Sequence, residues 1–163
     1  MIMNWSEIFE YRDGELFWKV KRKRAKPGMI AGDKDAYGYR RTTYKCKCYK
    51  VHRIIWEMHF GPICYGLIID HINGIVGDNR IENLRLATVS QNTHNRKVSS
   101  RNLSGIKGVY PCEKNTPRKP WMASIMVHGK RIFLGAFKTK EEAGHSYAFA
   151  EKKYYGNFSR SSG

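Results

Sequence analysis

An aspartate and a histidine stand side by side at Asp70-His71. A loop carrying Asn73, Gly74, Asp78, Asn79 and Asn83 follows, and then Gln91-Asn92. A carboxylate and an amide oxygen can hold one hard divalent cation, with waters and substrate oxygens completing its shell. An imidazole is the natural base near neutral pH. Phosphodiester hydrolysis needs an activated water, charge stabilisation on the phosphate and stabilisation of the departing oxygen. Asp70 and Asn92 offer the oxygens, and His71 offers the imidazole. Adjacent residues of an extended strand point to opposite faces, so the strand is expected to end or bend at this pair, or one of the two to act through the loop. Asn79 reads as a turn residue. Arg80 and Arg85 have two readings, phosphate contact or ion pairing with Asp78 or Glu82. His94 and Asn95 read as helix surface.

Several elements must position this set. Leu67-Ile68-Ile69 reads as a short buried strand, and Leu84-Arg85-Leu86-Ala87 as a second. Thr88 and Gln91 have the spacing of a capping box, which places Asn92 in the first turns of a helix. Upstream, Val51, Ile54, Ile55 and Met58 recur with helical period, and Gly61-Pro62 stops that helix. His52 and His59 on it read as structural or surface residues, while Arg53 can face a phosphate. Phe9–Arg12 and Glu15–Val20 flank Asp13-Gly14, a two-residue hairpin signal, and Tyr37–Tyr44 continues the strand pattern. Lys19–Lys26, with Lys21, Arg22, Lys23 and Arg24, reads as a solvated loop able to contact phosphate. Cys46 and Cys48 fall in a strand-like run, with both thiols on one face in a packing role.

Val98 to Ser104 is polar and reads as a linker. Beyond it, Gly105–Tyr110, Trp121–Val127 and Arg131–Phe137 read as three strands, with His128-Gly129-Lys130 as a hairpin turn. Thr139 caps a helix running from Lys140 to about Tyr155, with Glu142 at N3 and Ala143, Tyr147, Ala150 and Tyr154 near one face. The fold class is α+β. The expected divisions are residues 1–97, with a core at 51–97, a linker at 98–103, a second domain at 104–158 and a frayed tail at 159–163.

Thirty Lys and Arg oppose 14 Asp and Glu, a net charge of +16. Up to Leu103 there are 19 basic against 10 acidic residues, and beyond it 11 against 4. Both halves are basic, so a polyphosphate partner is the first expectation. The four cysteines form no pair of C-x-x-C knuckles, which argues against a zinc ribbon. No signal peptide, membrane span or transit segment is legible. A cytoplasmic protein with reduced thiols, with no membrane partner and no small-molecule cofactor, is expected.

Residues 51–97 resemble an HNH endonuclease of the ββα-metal fold, of the phage and group I intron homing type. The resemblance rests on Val51-His52-Arg53-Ile54-Ile55-Trp56, Asp70-His71-Ile72-Asn73-Gly74, Asp78 to Arg85, and Gln91-Asn92. It implies His71 as general base, Asp70 and Asn92 as ligands of one metal ion, and Asn83 holding the loop and helping to orient His71. Asn92 stands where the family name has its final histidine, and an amide oxygen suits Mg²⁺ or Mn²⁺. The N-terminal strands resemble the leader of such phage proteins. Residues 104–158 resemble an AP2/ERF-type DNA-binding domain through Ser104 to Tyr110, Trp121-Met122-Ala123, Arg131 to Phe137 and Glu141-Glu142-Ala143. That resemblance implies a sheet laid in the major groove, with Lys107, Tyr110, Arg118, Lys119, Trp121, Ser124, Met126 and Arg131 as contacts. Tyr110, Ser124 and Met126 depart from the charged residues usual there. Phe133 reads as packing. The expected whole is a homing-type endonuclease acting as a monomer on double-stranded DNA. The competing reading is a non-catalytic DNA-binding regulator with a decayed nuclease fold.

Overall fold

The computed structural model describes residues 3–95, 98–112 and 118–158. The expected frayed tail, 159–163, lies outside them. The chain forms two compact units, residues 1–92 and 93–163, so the division falls within the last turn of a helix rather than after residue 97.

The first unit opens with a helical turn that the sequence pattern did not suggest, α1 (Trp5–Ile8). The hairpin β1 (Phe9–Arg12) and β2 (Glu15–Trp18) follows in antiparallel register, with Phe9 opposite Trp18. Its turn residues Asp13 and Gly14 both have positive φ, +43° and +82°, as the two-residue turn matching strand twist requires. A second sheet has the order β3 (Asp33–Lys34), β4 (Arg40–Tyr44), β5 (Lys47–Lys50). Lys45 and Cys46 make the turn between β4 and β5, at φ +47° and +60°. This corrects the expectation for the thiols: Cys46 sits in that turn, and both Cys46 and Cys48 are exposed rather than packed.

Helix α2 (Val51–Phe60) occupies the span its periodicity predicts. Val51, Ile54 and Ile55 are each at most 1% exposed. They bury the apolar stripe against Trp5, Phe9, Leu16, Trp18, Ile69 and Leu84 in one cluster. Burial of such a side chain contributes on the order of 1.5–3 kcal/mol, and the N-terminal hairpin shares this core with α2 and the residues of the later hairpin. The hairpin β6 (Ile68–His71) and β7 (Leu84–Ala87) pairs Asp70 with Arg85 and His71 with Leu84. Helix α3 (Val89–His94) follows. It is capped reciprocally, the Thr88 amide donating to Gln91 Oε1 and the Gln91 amide to Thr88 Oγ1.

The second unit is a sheet of order β10 (Lys130–Phe137), β9 (Trp121–Val127), β8 (Val109–Pro111), covered on one face by α4 (Lys140–Tyr155). The first strand begins at Val109 and not at Gly105. Gly108 turns with φ +72°, and a Cβ there would lie 2.0 Å from the Tyr147 ring. Thr139 caps α4 by accepting from the Glu142 amide. Ala143, Tyr147 and Ala150 are buried as the spacing predicts, but the face continues through Glu151, with Tyr154 exposed. The cause is an ion pair: Glu151 Oε1 lies 2.7 Å from Lys107 Nζ.

Candidate active site

Strand β6 carries Asp70 and His71 to its last two positions, and the chain turns immediately afterwards, with the Gly74 amide donating to the His71 carbonyl. Both side chains are buried. The strand ends at the pair, as expected, and within it the pleat sends the two side chains apart. His71 faces α2: its ring meets the His52 ring edge-on at 5.1 Å, and Tyr39 packs against both. Asp70 faces its cross-strand neighbour, and Arg85 Nε donates to Asp70 Oδ2 at 2.8 Å.

The loop from Ile72 to Arg80 is held by its asparagines. Asn83 Oδ1 accepts from the Asn73 amide, and Asn83 Nδ2 donates to Asn73 Oδ1 and to the Asp78 carbonyl. Asn73 in turn donates to Asp78 Oδ2. Asn83 thus closes the loop, while the side chain that reaches His71 is Asn79, whose Oδ1 lies 3.0 Å from His71 Nε2. Asn79 is 2% exposed, so the turn-residue reading is corrected. Its own Nδ2 has no partner among the described residues. An orphaned buried donor costs roughly 1–3 kcal/mol. The N-terminal hairpin braces the loop. Tyr11 Oη accepts from the Ile81 amide, and any Cβ at Gly14 would press on the Arg80 amide at 2.9 Å.

Burial, the largest influence, pushes the His71 pKa below that of a free imidazole, against the pull of Asn79, Asp70 and Asp78. His52 is pushed further, to about 3, by burial and then by His71, Lys50 and Arg53. Both rings are therefore neutral near pH 7. With Nε2–H donating to Asn79 Oδ1, the His71 lone pair sits on Nδ1.

Asn92, in α3, lines a cleft with His52, Lys50, Arg53, Ile68 and Ile69. A carboxylate and an amide oxygen are the hard donor types that a Mg²⁺-type ion takes, but the residues lining the cleft at Asn92 do not include Asp70 or His71. No group of three or more His, Cys, Asp and Glu able to hold a metal occurs among the described residues. Arg85, opposite Asp70 in register, pairs with it at 2.7 Å, and Arg80 pairs with Asp78 at 2.8 Å.

The other expected contact residues divide sharply. Arg53, Lys21, Lys23, Arg24, Tyr110, Arg118, Lys119 and Arg131 are exposed. Arg22 is not in a loose loop: it bridges to Ala25, donates to the Thr43 carbonyl and stacks on Trp18 and Tyr44. Lys107 is spent on Glu151 and the His94 carbonyl. Trp121 turns to the α4 side, in the cluster of Val109, Ala123 and Ala143. His52 and Asn79 are the site residues missed. Both lie within the stretches that carry the resemblance, but only burial beside His71 shows what they touch.

The hairpin β6–β7, with α2 packed on its His71 face, buries a neutral histidine beside an aspartate. Residues 49–94 match the family of HNH endonucleases. Protein 3.8 of Escherichia phage T7 is 31% identical over 122 residues, covering 74% of this chain and 98% of that protein. An uncharacterized HNH endonuclease of Acanthamoeba polyphaga mimivirus is 30% identical over 110 residues, 67% of this chain and 54% of the relative. Among solved structures, the HNH homing endonuclease I-HmuI, described in DNA binding and cleavage, is similar with a TM-score of 0.40 and 28% identity over 51% of this chain and 47% of that one. The chain belongs to the same family as protein 3.8 of phage T7 and carries an HNH endonuclease domain.

Proposed function

We propose that the protein is a metal-dependent, homing-type endonuclease that hydrolyses a phosphodiester bond of double-stranded DNA. The observation that carries this reading is the buried, neutral His71, held by Asn79 at the end of the strand that also presents Asp70. His71 takes the proton of the attacking water on the ring nitrogen turned away from Asn79. Asn79 holds the ring, and Asn83 holds the loop that holds Asn79. Asp70 and Asn92 would hold the divalent ion, Mg²⁺ or Mn²⁺, which would supply Lewis-acid stabilisation of the phosphate charge and of the leaving oxygen. The basic residues Lys21 to Arg24, with Arg53, grip the phosphate backbone, which gives affinity without sequence information. The second unit is an AP2/ERF-like reader, consistent with its three strands covered by one helix, and Tyr110, Arg118, Lys119 and Arg131 serve it. The protein acts as a monomer in the cytoplasm of the host cell.

The ion pair of Arg85 with Asp70 also suits the second reading, a DNA-binding regulator whose nuclease fold no longer binds metal. One assay separates the two. Plasmid DNA is incubated with Mg²⁺ or Mn²⁺ and either wild type or His71→Ala. The nuclease reading expects cutting by the wild type alone, with DNA binding kept in the variant. No metal-dependent cutting of any DNA by the wild type would overturn it. Cutting undiminished in His71→Ala would overturn the role of His71.

A further inference from the structure

The sheet of the second unit has one face under α4 and one face open. In register, the open face forms three rows: Tyr110 beside Met122 and Ala136, Ser124 beside Phe133, and Met126 beside Arg131. Phe133 is 64% exposed, Met126 46% and Tyr110 41%. This corrects the packing expectation for Phe133. The inner face already has its core without it: Val109, Ala123 and Ile125 pack on Ala143, Tyr147 and Ala150. Large apolar side chains gathered on one exposed face mark an interaction surface.

Charge names the partner. None of the three strands contains an acidic residue, and Arg131 and Lys130 lie on them. Of the four acidic residues beyond Asn92, Glu141, Glu142 and Glu151 belong to α4, on the other side of the sheet, and Glu113 lies outside the described residues. An apolar face free of negative charge, in a basic unit, fits a polyanion with apolar groups of its own. Double-stranded DNA is such a polyanion, and its major groove admits a β-ribbon.

Side chains on one strand face recur every ~7 Å, or about two base-pair steps. Met122, Ser124 and Met126 therefore span about four steps. The face offers few groups to read hydrogen-bonding edges: two hydroxyls, from Tyr110 and Ser124, and one guanidinium, from Arg131. It has no amide or carboxylate for adenine or cytosine. What its methionines and Phe133 can recognise in the major groove is the thymine C5-methyl group. We propose that Phe133, Met126 and Met122, on the open face of this sheet, determine specificity by packing on thymine methyls, and so select T·A-rich sites. This rests on the DNA-binding reading above.

The test uses the full chain with chelator present, so that no cutting intervenes. Tight sites are selected from a randomised duplex library. The best is remade with deoxyuridine in place of thymine, which removes only the methyl groups. Burying one methyl corresponds to about fourfold in affinity, so two to three lost contacts predict ~10-fold or more weaker binding. Phe133→Ala and Met126→Ala, both at exposed positions, should bind thymine DNA more weakly and lose most of the distinction between the two duplexes. Selected sites with no thymine enrichment, or equal affinity for the two duplexes, would overturn the inference while leaving DNA binding in place. No duplex retained by the wild type would overturn the DNA-binding reading itself. Self-association of the wild type that Phe133→Ala abolishes, with DNA affinity unchanged, would assign the face to a second copy and overturn the proposal.

Discussion

Acidification should destabilise the first unit through His52. Its pKa is 6.5 for the free side chain and about 3 in the folded protein. Below the unfolded value the unfolded chain binds a proton that the folded one refuses. The stabilising contribution is thus complete above about pH 6.5 and is lost as pH falls towards the folded value. One pKa unit corresponds to 1.36 kcal/mol, so by about pH 5 the loss is ~2 kcal/mol. That is a large share of a typical stability of roughly 5–15 kcal/mol. Urea denaturation, followed by tryptophan fluorescence at about pH 7.5 and about pH 5, measures it. His52→Phe keeps a ring against Tyr39 and His71 and cannot titrate. It should lose ~2 kcal/mol less than the wild type over that interval. His52→Gln should behave alike, whatever either substitution does to stability at the higher pH. Equal losses in wild type and both variants would refute the argument that burial beside His71 holds this ring neutral.

Asn79→Ala removes the acceptor for His71 Nε2. It should lower the cleavage rate by about 10–10² while leaving duplex affinity within about twofold, as kinetics and a binding titration would show. Arg85→Leu leaves the buried Asp70 carboxylate without its ion pair. In the absence of metal it should destabilise by about 3 kcal/mol, and thermal denaturation should show Mn²⁺ recovering part of that loss. Gly108→Ala places a methyl on the Tyr147 ring at a left-handed backbone position. It should cost at least ~1–3 kcal/mol, lowering the melting temperature of the second unit, with Trp121 as reporter.

The parts legible in the sequence are those set by local chemistry. Helix α2 follows from apolar residues at helical spacing and from Gly61, and α4 from the Thr139 cap and Glu142. The Asp13-Gly14 turn and the Thr88–Gln91 box likewise need only neighbours a few residues apart. Asp70, His71 and Asn92 could be named because their types and order suffice to suggest a chemistry. Partners remote in sequence could not be read the same way. Nothing local in Lys107 points to Glu151, and nothing in His52 points to His71. Arg85 was read against Glu82 or Asp78, but strand register placed it opposite Asp70.

The sheet of the second unit shows the boundary most directly. The sequence alone establishes that Trp121 and Phe133 belong to strands. Alternation cannot say which of them faces inward until the helix has chosen a side. The register shift between Phe133 and Gly135 then changes the parity within β10, so that Phe133 points out while Phe137 joins Trp121 inside. In the first unit, the Asp70-His71 pair and its chemistry are likewise present in the sequence. Only the packed hairpin, loop and helix decide that Asn79 holds the base and that Asn83 holds the loop. Residue types and short spacings determine what groups are available. Burial and register, which depend on contacts distant along the chain, determine which of them meet.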